Sequence, residues 1–361
     1  MKSISLYRLN AVLLLFILSV VVLYYGKEFL VPLFFAILLA MLLLPVCNWL
    51  EKHGVGRIGS TLLGILIILL FIGGLVAIIA AQGVSLSEEM PKMQAKGQEF
   101  LQSAQQWVQT RYGIGQQEQQ SYVQKGMSKM SQSGGNFFKS FLSGVMGFMT
   151  SFVLVLLYFF FLMWKREKYR EFILKFVDRE NRGKAGKELD QISHVAGMYL
   201  IGRLISMVFL AVFYMIGFSL VGLENGLLIA LVAVIPTIIP YVGAFIGAFF
   251  PLAMALVGGS SDIILPIAGI LIAAQIIDNN IIEPLVEGKS LDISPIFTII
   301  SIVIGELLWG IPGMILFMPM FAILKIVCDN IPSLHPYSFL LENEAGEAKW
   351  MKKVKGIFGK K

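Results

Sequence analysis

The sequence predicts an all-α integral membrane protein of about eight transmembrane helices, and three observations carry this prediction. Hydrophobic residues make up 57% of the 361 positions and charged residues 14%, with a mean hydropathy of +0.78. A soluble domain carries roughly 25% charged residues. Long apolar runs recur along the chain, and two of those in the C-terminal half are interrupted by proline and glycine. We expect a single polytopic membrane domain over residues 1–361.

The predicted spans are apolar stretches of the length that a helix needs to cross a hydrocarbon core of roughly 30 Å. In chain order they are 9–25, 29–50, 58–82, 141–164, 195–221, 227–257, 263–282 and 295–327. The first run follows Lys2 and Arg8, but it ends in Tyr-Tyr-Gly-Lys-Glu and lacks the small-residue cleavage site of a signal peptide. We therefore interpret it as a retained first helix.

The orientation of the chain follows from its basic loops, because short cytoplasmic loops of membrane proteins are enriched in Lys and Arg. Nine basic residues lie between Lys165 and Gln191, which predicts a basic cytoplasmic loop over 165–192. Four predicted spans precede that loop, and four more lead to a Lys-rich tail at 328–361. We expect both termini to be cytoplasmic. This count treats each interrupted segment as one crossing, and a segment that folds back as a hairpin would change it.

A long polar region lies at 85–140, where apolar residues recur at three-to-four-residue spacing from Leu86 to Val108. That spacing is typical of an amphipathic helix. We expect extramembrane amphipathic helices in this region. The sequence leaves open whether they pack on their own chain or the membrane surface, or whether they form contacts between subunits.

The two interrupted segments are each about 30 residues long and would measure roughly 45 Å as one helix, more than the hydrocarbon core. Proline frees backbone groups, which survive in a bilayer only where protein or a watery cavity satisfies them. Two matched segments of this kind point to the binding region of a transporter. The residues that we assign to helix breaking and gating are Pro236, Pro240, Gly243, Gly247, Gly310, Pro312 and Gly313.

Polar side chains within the predicted spans are candidates for binding a solute or ion, because a charge near the middle of a span costs roughly 2.5–3.5 kcal/mol. The candidates are Asp278, Asn279, Glu306, Arg203, Gln275 and Glu283. Their carboxylate and amide groups suit a cation, a proton or a hydroxyl-rich solute. Structural interpretations stay open beside this one. Arg203 and Glu306 could simply neutralise one another, and Asp278 and Glu283 could lie at the membrane surface.

Several function classes find no support in the chain. It has no G-x-x-x-x-G-K-[ST] loop and so carries no ATPase of its own. Its two cysteines and three histidines lack ligand spacing, and we expect no metal site and no cofactor. We see no catalytic triad and expect no enzyme. The basic residues flank predicted spans, so the partners we expect are the lipid bilayer and a small molecule or ion, and no nucleic acid.

A set of motifs in the C-terminal half is distinctive in combination. The motifs are Ile-Pro-Tyr-Val-Gly-Ala-Phe-Ile-Gly at 239–247, Gln275-x-x-Asp278-Asn279-x-x-Ile282, Pro284 with Gly288, Leu291-x-x-x-Pro295, Gly305, Gly-Ile-Pro-Gly-Met at 310–314, and Pro319. At these residues the chain resembles the autoinducer-2 exporter family of bacterial membrane proteins. Two positions depart from the family pattern, since relatives often carry His where Ser294 stands and Pro where Ala244 stands.

The resemblance implies an eight-span transporter of the bacterial inner membrane that forms a homo-oligomer, a pentamer in characterised relatives. It also implies export of a small hydrophilic molecule such as the quorum-sensing signal autoinducer-2. Other members are sodium–proton antiporters, so antiport of a cation for a proton is an alternative. A second alternative is a scaffold that transports nothing and recruits partners through 85–140.

Overall fold

A computed structural model of the chain describes residues 6–74, 76, 77, 102, 106, 110, 151–223, 225–257, 261–286 and 293–343. Regular structure in these ranges is helical, apart from an isolated bridge between Ile293 and Glu342. The predicted all-α class is thereby confirmed. The amphipathic helices expected at 85–140 lie outside the described residues, apart from three helical positions at 102, 106 and 110.

Thirteen α-helices cover most of the described ranges. They are α1 (Leu6–Tyr25), α2 (Lys27–Lys52), α3 (Arg57–Gly74), α4 (Ser151–Trp164), α5 (Arg166–Lys175), α6 (Arg182–Leu220), α7 (Gly226–Val234), α8 (Val242–Val257), α9 (Ser261–Ile277), α10 (Glu283–Val286), α11 (Pro295–Trp309), α12 (Ile311–Asn330) and α13 (His335–Leu341). Short 3-10 helices precede α6 at Arg179–Asn181 and follow α7 at Ile235–Ile238. A π-helix at Asp278–Ile282 joins α9 to α10.

Five of the described helical stretches are long and apolar enough to cross a membrane. They are Lys27–Lys52, Arg57–Gly74, Arg179–Leu220, Asp262–Val286 and Ile311–Asn330. Shorter apolar helices accompany them, among them Asn10–Tyr25 and Ser151–Trp164. Their apolar side chains face outward as well as inward, and Leu14, Leu15 and Phe16 of α1 are all exposed. Lipid is the natural environment for such surfaces, and the chain is a multi-pass membrane protein.

The chain divides into two compact units. The first unit comprises residues 1–34, 167–199 and 289–361, and the second comprises 35–166 and 200–288. A small cluster of buried apolar residues in the first unit is built from Val195, Ile293, Ala322 and Ile326. Two larger clusters belong to the second unit. One joins α2, α3 and α4 around Phe159, and the other joins α6 through α9 around Phe218.

The first interrupted segment folds as a helical hairpin within the second unit, which we call the first hairpin. It consists of α7, the Ile235–Ile238 turn of 3-10 helix and α8, and the two α-helices pack against each other. A Cβ added to Gly247 would lie 2.1 Å from the Ala233 carbonyl oxygen, and one on Gly243 would lie 1.9 Å from that of Pro236. Only glycine allows so close an approach between the two arms.

The second interrupted segment is also a hairpin, formed by α11 and α12 within the first unit, and we call it the second hairpin. Its turn is the single residue Gly310, whose φ of 65° and ψ of −144° are accessible essentially only to glycine. A Cβ on Gly313 would lie 1.9 Å from the Gly305 carbonyl oxygen, and one on Gly305 would lie 2.3 Å from that of Gly313. Each interrupted segment therefore reverses direction. The crossing count from the sequence treated each as a single crossing.

The tip of the second hairpin is held by Trp309. Its indole Nε1 donates a hydrogen bond to the Leu23 carbonyl oxygen at 2.8 Å, and its ring packs against Phe34 and Phe317. Leu23 lies in the last turn of α1, where carbonyl groups have no partner within the helix. Trp309 thus satisfies one of these groups while it fills the space beside the turn.

Candidate functional site

A cavity of about 470 Å³ opens in the second unit between α6, the first hairpin and the stretch from α9 to α10. One part of its wall is apolar, with Leu210, Ala248 and Leu271 among its members. The polar side chains that line it are Arg203, Thr237, Tyr241, Gln275, Asp278, Asn279, Asn280 and Glu283. The volume suits a small molecule, since ligand pockets measure roughly 300–1,000 Å³.

The π-helix that begins at Asp278 has a clear local cause. Pro284 has no N–H and its ring would clash with the carbonyl of Asn280 in a regular α-helix. The chain widens instead, so that the Glu283 N–H donates to the Asp278 carbonyl oxygen five residues earlier. The Asn280 side chain compensates for the disturbed ladder by donating to the Ile276 carbonyl oxygen at 2.8 Å. Such π-bulges occur frequently at functional sites.

Asp278 is the most deeply buried acid of the cavity, with 3% of its surface exposed. The hydroxyl of Ser206 on α6 donates a hydrogen bond to its carboxylate oxygen Oδ1. This bond joins α6 to the π-helix at the wall of the cavity. A carboxylate accepts several hydrogen bonds, so Asp278 has capacity for a proton, a cation or a donor group of a solute.

Arg203 faces the same cavity from α6 and is 8% exposed. Its Nη1 lies 3.8 Å from Glu283 Oε1, which makes a loose ion pair across the wall. Its Nε is buried and has no hydrogen-bond partner among the described residues. A buried donor without a partner costs roughly 1–3 kcal/mol, and an acceptor on a bound solute would recover that cost.

Two other polar groups of the cavity are bonded to the protein. The Gln275 amide donates to the Tyr214 hydroxyl at 3.2 Å, and the Thr237 hydroxyl donates to the Val234 carbonyl oxygen at 2.6 Å. These bonds fix the orientation of the side chains in the wall. Among the charged groups of the cavity, Arg203, Asp278 and Glu283 keep capacity for a ligand.

The formal charges of the cavity do not balance. Two carboxylates, Asp278 and Glu283, face one guanidinium, Arg203, so the ionised set has one negative charge in excess. Uncompensated charge is costly in a low-dielectric site. One proton, one metal cation or a positively charged group of a solute would neutralise the set.

The structure brings five of the six predicted binding residues together and places the sixth elsewhere. Arg203, Gln275, Asp278, Asn279 and Glu283 all line the cavity of the second unit, and the ion pair of Arg203 is with Glu283. Glu306 lies in the first unit, on α11 one turn before Gly310, and its side chain is exposed.

The residues predicted to break helices lie at the two hairpins. Pro240 lines the cavity, while Pro236 belongs to the short 3-10 helix at the first tip. Gly243 and Gly247 make the close contact between the arms of the first hairpin. Gly310, Pro312 and Gly313 form the turn and the first residues of α12 in the second.

Ser206 and Tyr214 bond to the site but were missed in the sequence. With Arg203 and Leu210 they recur at three-to-four-residue spacing along α6, which places all four on one helix face. That periodicity, counted from the one arginine of the apolar stretch, is the signal that could have found them. A single Ser or Tyr in a membrane helix does not by itself indicate a binding site.

Apolar helices around an open cavity, in which the charged side chains of Arg203 and Asp278 are buried, are the features expected of a multi-pass membrane transport protein. The family model described as "AI-2E family transporter" matches residues 13–333. The chain belongs to that family.

Similar proteins occur in Escherichia coli and Bacillus subtilis. PerM of Escherichia coli (strain K12), provisionally named a permease, is 28% identical over 332 residues, which cover 89% of this chain and 93% of PerM. YueF of Bacillus subtilis (strain 168), provisionally named a transport protein, is 29% identical over 332 residues, covering 85% and 86%. YrrI of the same strain, named in the same way, is 25% identical over 315 residues, covering 83% and 86%.

Proposed function

We propose that this protein is a secondary transporter that exports a small hydrophilic molecule of the autoinducer-2 kind through the cavity of the second unit. The observation that carries the proposal is the charged set of buried Arg203, buried Asp278 and half-buried Glu283, in which the Arg203 Nε has no partner among the described residues. A solute rich in hydroxyl groups supplies both the acceptor that Arg203 lacks and donors for the two carboxylates. The sequence has no P-loop, so active transport would draw on an ion gradient or on a partner protein.

Antiport of sodium or another cation against protons is the second candidate, and the charge of the cavity favours it. An excess negative charge binds either a proton or a cation but not both, which is the basic requirement for exchange. In this reading Asp278 is the carboxylate that exchanges the proton for the cation, and Glu283 pairs with Arg203. The two candidates differ in what moves, since one predicts flux of an uncharged solute and the other predicts flux of sodium.

Transport by the purified full-length chain in liposomes tests both candidates. The vesicles are loaded with autoinducer-2, or with a sodium-sensitive and a pH-sensitive dye, and flux is measured with and without ion gradients. We expect Asp278→Asn to lower the transport rate by about 100-fold, because the amide can neither ionise nor accept bonds at both terminal atoms. Asp262→Asn is the matched control, since that carboxylate starts the same helix but is exposed and lies outside the cavity lining.

The outcome of this comparison separates three readings. Loss of autoinducer-2 efflux in Asp278→Asn but not in Asp262→Asn supports export. Loss of sodium–proton exchange in the same comparison supports antiport. Normal transport by Asp278→Asn overturns the site. If neither solute moves and a function in cells survives Asp278→Asn, the scaffold reading replaces transport.

We also propose that the protein lies in the bacterial inner membrane with both termini cytoplasmic. A hairpin that enters a membrane returns to the side from which it started. In this topology each of the two hairpins therefore changes the number of crossings by one relative to a single span, and the two changes cancel. The Lys-rich tail then returns to the side of the basic segment 165–192, as the enrichment of basic residues in cytoplasmic loops requires. Reporter fusions at Gly183 and at the C-terminus are expected to give the same sidedness, and opposite signals would contradict the topology.

A homo-oligomer, with five copies as the first expectation, completes the proposal. Family resemblance supports it. Native mass spectrometry of the detergent-solubilised protein measures the number of copies directly, and a monomer retaining transport would contradict the expectation.

A further inference from the structure

The helix α5 exposes a stripe of apolar side chains although it belongs to the polar segment between α4 and α6. Tyr169, Phe172 and Ile173 of α5 are 43%, 58% and 48% exposed, and Phe176, the first residue after the helix, is 79% exposed. They recur at positions i, i+3, i+4 and i+7, which lie on one face of a helix. We call these four residues the α5 stripe. None of the ten residues of α5 is buried and neither is Phe176, so nothing covers the stripe within the part of the chain that the structure describes.

The charged residues of α5 are sorted around the stripe. At roughly 100° per residue, Glu167 and Glu171 point to the side opposite the stripe. Lys168 and Lys175 flank it on one side, and Arg170 flanks it on the other. Basic residues at the border of an apolar face and acidic residues opposite that face are the arrangement expected of a helix that lies flat on an anionic membrane surface.

Arg170 fixes which way the stripe faces. Its guanidinium donates to both carboxylate oxygens of Asp190 on α6, and its Nη2 also donates to the Gly186 carbonyl oxygen at 3.0 Å. Because Asp190 accepts a hydrogen bond from it, the pKa of Arg170 is raised above its ordinary value. All three residues belong to the first unit. The salt bridge holds the Arg170 side of α5 against α6, so the stripe cannot turn inward to pack there.

The position of α5 in the chain supplies the second argument. It begins two residues after Trp164, the last residue of the apolar helix α4. The Lys165 amine lies 3.9 Å from the centroid of the Trp164 ring. Tryptophan and lysine are typical of the level at which a membrane helix meets the headgroups. The chain therefore enters α5 at the membrane surface, where an amphipathic helix can reach the lipid without a linker.

We propose that α5 is an interfacial helix, which inserts the α5 stripe into the cytoplasmic leaflet and binds anionic phospholipid headgroups through Lys168 and Lys175. Aromatic side chains suit the boundary between headgroups and acyl chains, because their rings are amphipathic or polarisable. Phe172 and Phe176 also pack edge to face, with their ring centroids 5.1 Å apart. The contact ties the cytoplasmic end of α6 to the lipid composition of the leaflet. This surface is separate from the cavity and does not depend on what the protein transports.

Fluorescence quenching in reconstituted vesicles tests the proposal on the full-length protein. The two buried cysteines, Cys47 and Cys328, are first replaced by alanine. One cysteine is then introduced by Phe172→Cys or, as the matched control on the opposite face of the same helix, by Glu171→Cys. Each is labelled with bimane. Vesicles consist of phosphatidylcholine alone or mixed with phosphatidylglycerol, with brominated acyl chains as the quencher in both.

We expect brominated lipid to quench the probe at position 172 several-fold more than the probe at 171, and more strongly in the vesicles that contain phosphatidylglycerol. In the background Lys168→Glu, Lys175→Glu the difference between the two lipid mixtures should disappear. Equal quenching at both positions overturns the proposal. A probe at 172 that lipid does not quench also overturns it. If, in addition, the cysteines of two copies cross-link at this position, the stripe is a contact between subunits. If Phe172→Cys does not yield a monodisperse protein, Ile173→Cys on the same face carries the same expectation.

Discussion

The two hairpins use the same packing device but differ at their tips. In the first hairpin Gly247 lies against the Ala233 carbonyl group, and in the second Gly305 and Gly313 lie against each other. The first hairpin turns through a 3-10 helix and an extended residue, with Tyr241 at a φ of 59°. The second turns at Gly310 alone.

The difference between the two tips shows that glycine and proline have separate roles: glycine allows the arms to pack, and proline helps to form a site. The wide tip of the first hairpin places Thr237, Pro240 and Tyr241 on the cavity wall. At the narrow tip of the second hairpin, the buried ring of Trp309 packs beside the turn against Phe317. Polar chemistry therefore accompanies the tip that is lengthened by two prolines, while glycine contacts close the arms in both.

The largest effect that we expect comes from the glycines, because both hairpins depend on them equally. Gly247→Val and Gly305→Val each place side-chain atoms where backbone carbonyl groups now lie, and the arms must separate. We expect each to destabilise the folded protein by about 3 kcal/mol or more, at the upper end of overpacking effects. Thermal unfolding of the purified variants in detergent measures this.

Gly269→Val on α9 is the matched control, since a Cβ added there meets no atom within 4 Å. Wild-type-like unfolding of Gly269→Val beside early unfolding of the other two is the expected pattern. Should Gly305→Val unfold like the wild type, the second hairpin is not held by this contact and the comparison of the two hairpins fails.

A smaller effect is expected at the tip of the second hairpin. Holding a charge at membrane depth costs roughly 2.5–3.5 kcal/mol, so we expect Glu306 to contribute to transport. Its side chain is exposed and is not among the residues that line the cavity of the second unit. Glu306→Gln should therefore lower the liposome transport rate by about 10-fold, less than Asp278→Asn. A loss as complete as that of Asp278→Asn would place the second tip in the binding site itself.

The sequence predicted much of this fold because apolar length and local composition decide where membrane helices form. The apolar helices of the described residues, the break around Pro236–Pro240 and the break at Gly310 all follow from such local signals. Whether a break is a kink or a reversal is not local. It depends on the contact between Gly305 and Gly313, eight positions apart, and a kinked crossing helix carries the same composition.

The candidate site was predictable to the extent that charges in apolar stretches are rare. Arg203, Asp278 and Glu283 stand out for this reason, and the structure gathers them in one cavity. Ser206 and Tyr214 do not stand out, because hydroxyl groups cost little free energy in membrane helices. Their role is visible only from the side chains to which they bond in the fold. The assignment of Glu306 to a different unit from Asp278 depends on the folded arrangement, which sequence spacing does not encode.

The smallest effect that we expect tests how the narrow tip is anchored. Trp309→Phe keeps an aromatic ring beside Phe317 but removes the donor to the Leu23 carbonyl oxygen. We expect a destabilisation of about 1 kcal/mol, the usual net value of one hydrogen bond, with no change in the transport rate. Trp49→Phe is the matched control, because that indole is 58% exposed. Equal unfolding midpoints for the two variants would mean that the hydrogen bond does not anchor the tip. A loss of transport in Trp309→Phe without a loss of stability would mean that this tip moves during the transport cycle. The contrast between a first tip that lines the cavity and a second tip that only packs would then no longer hold.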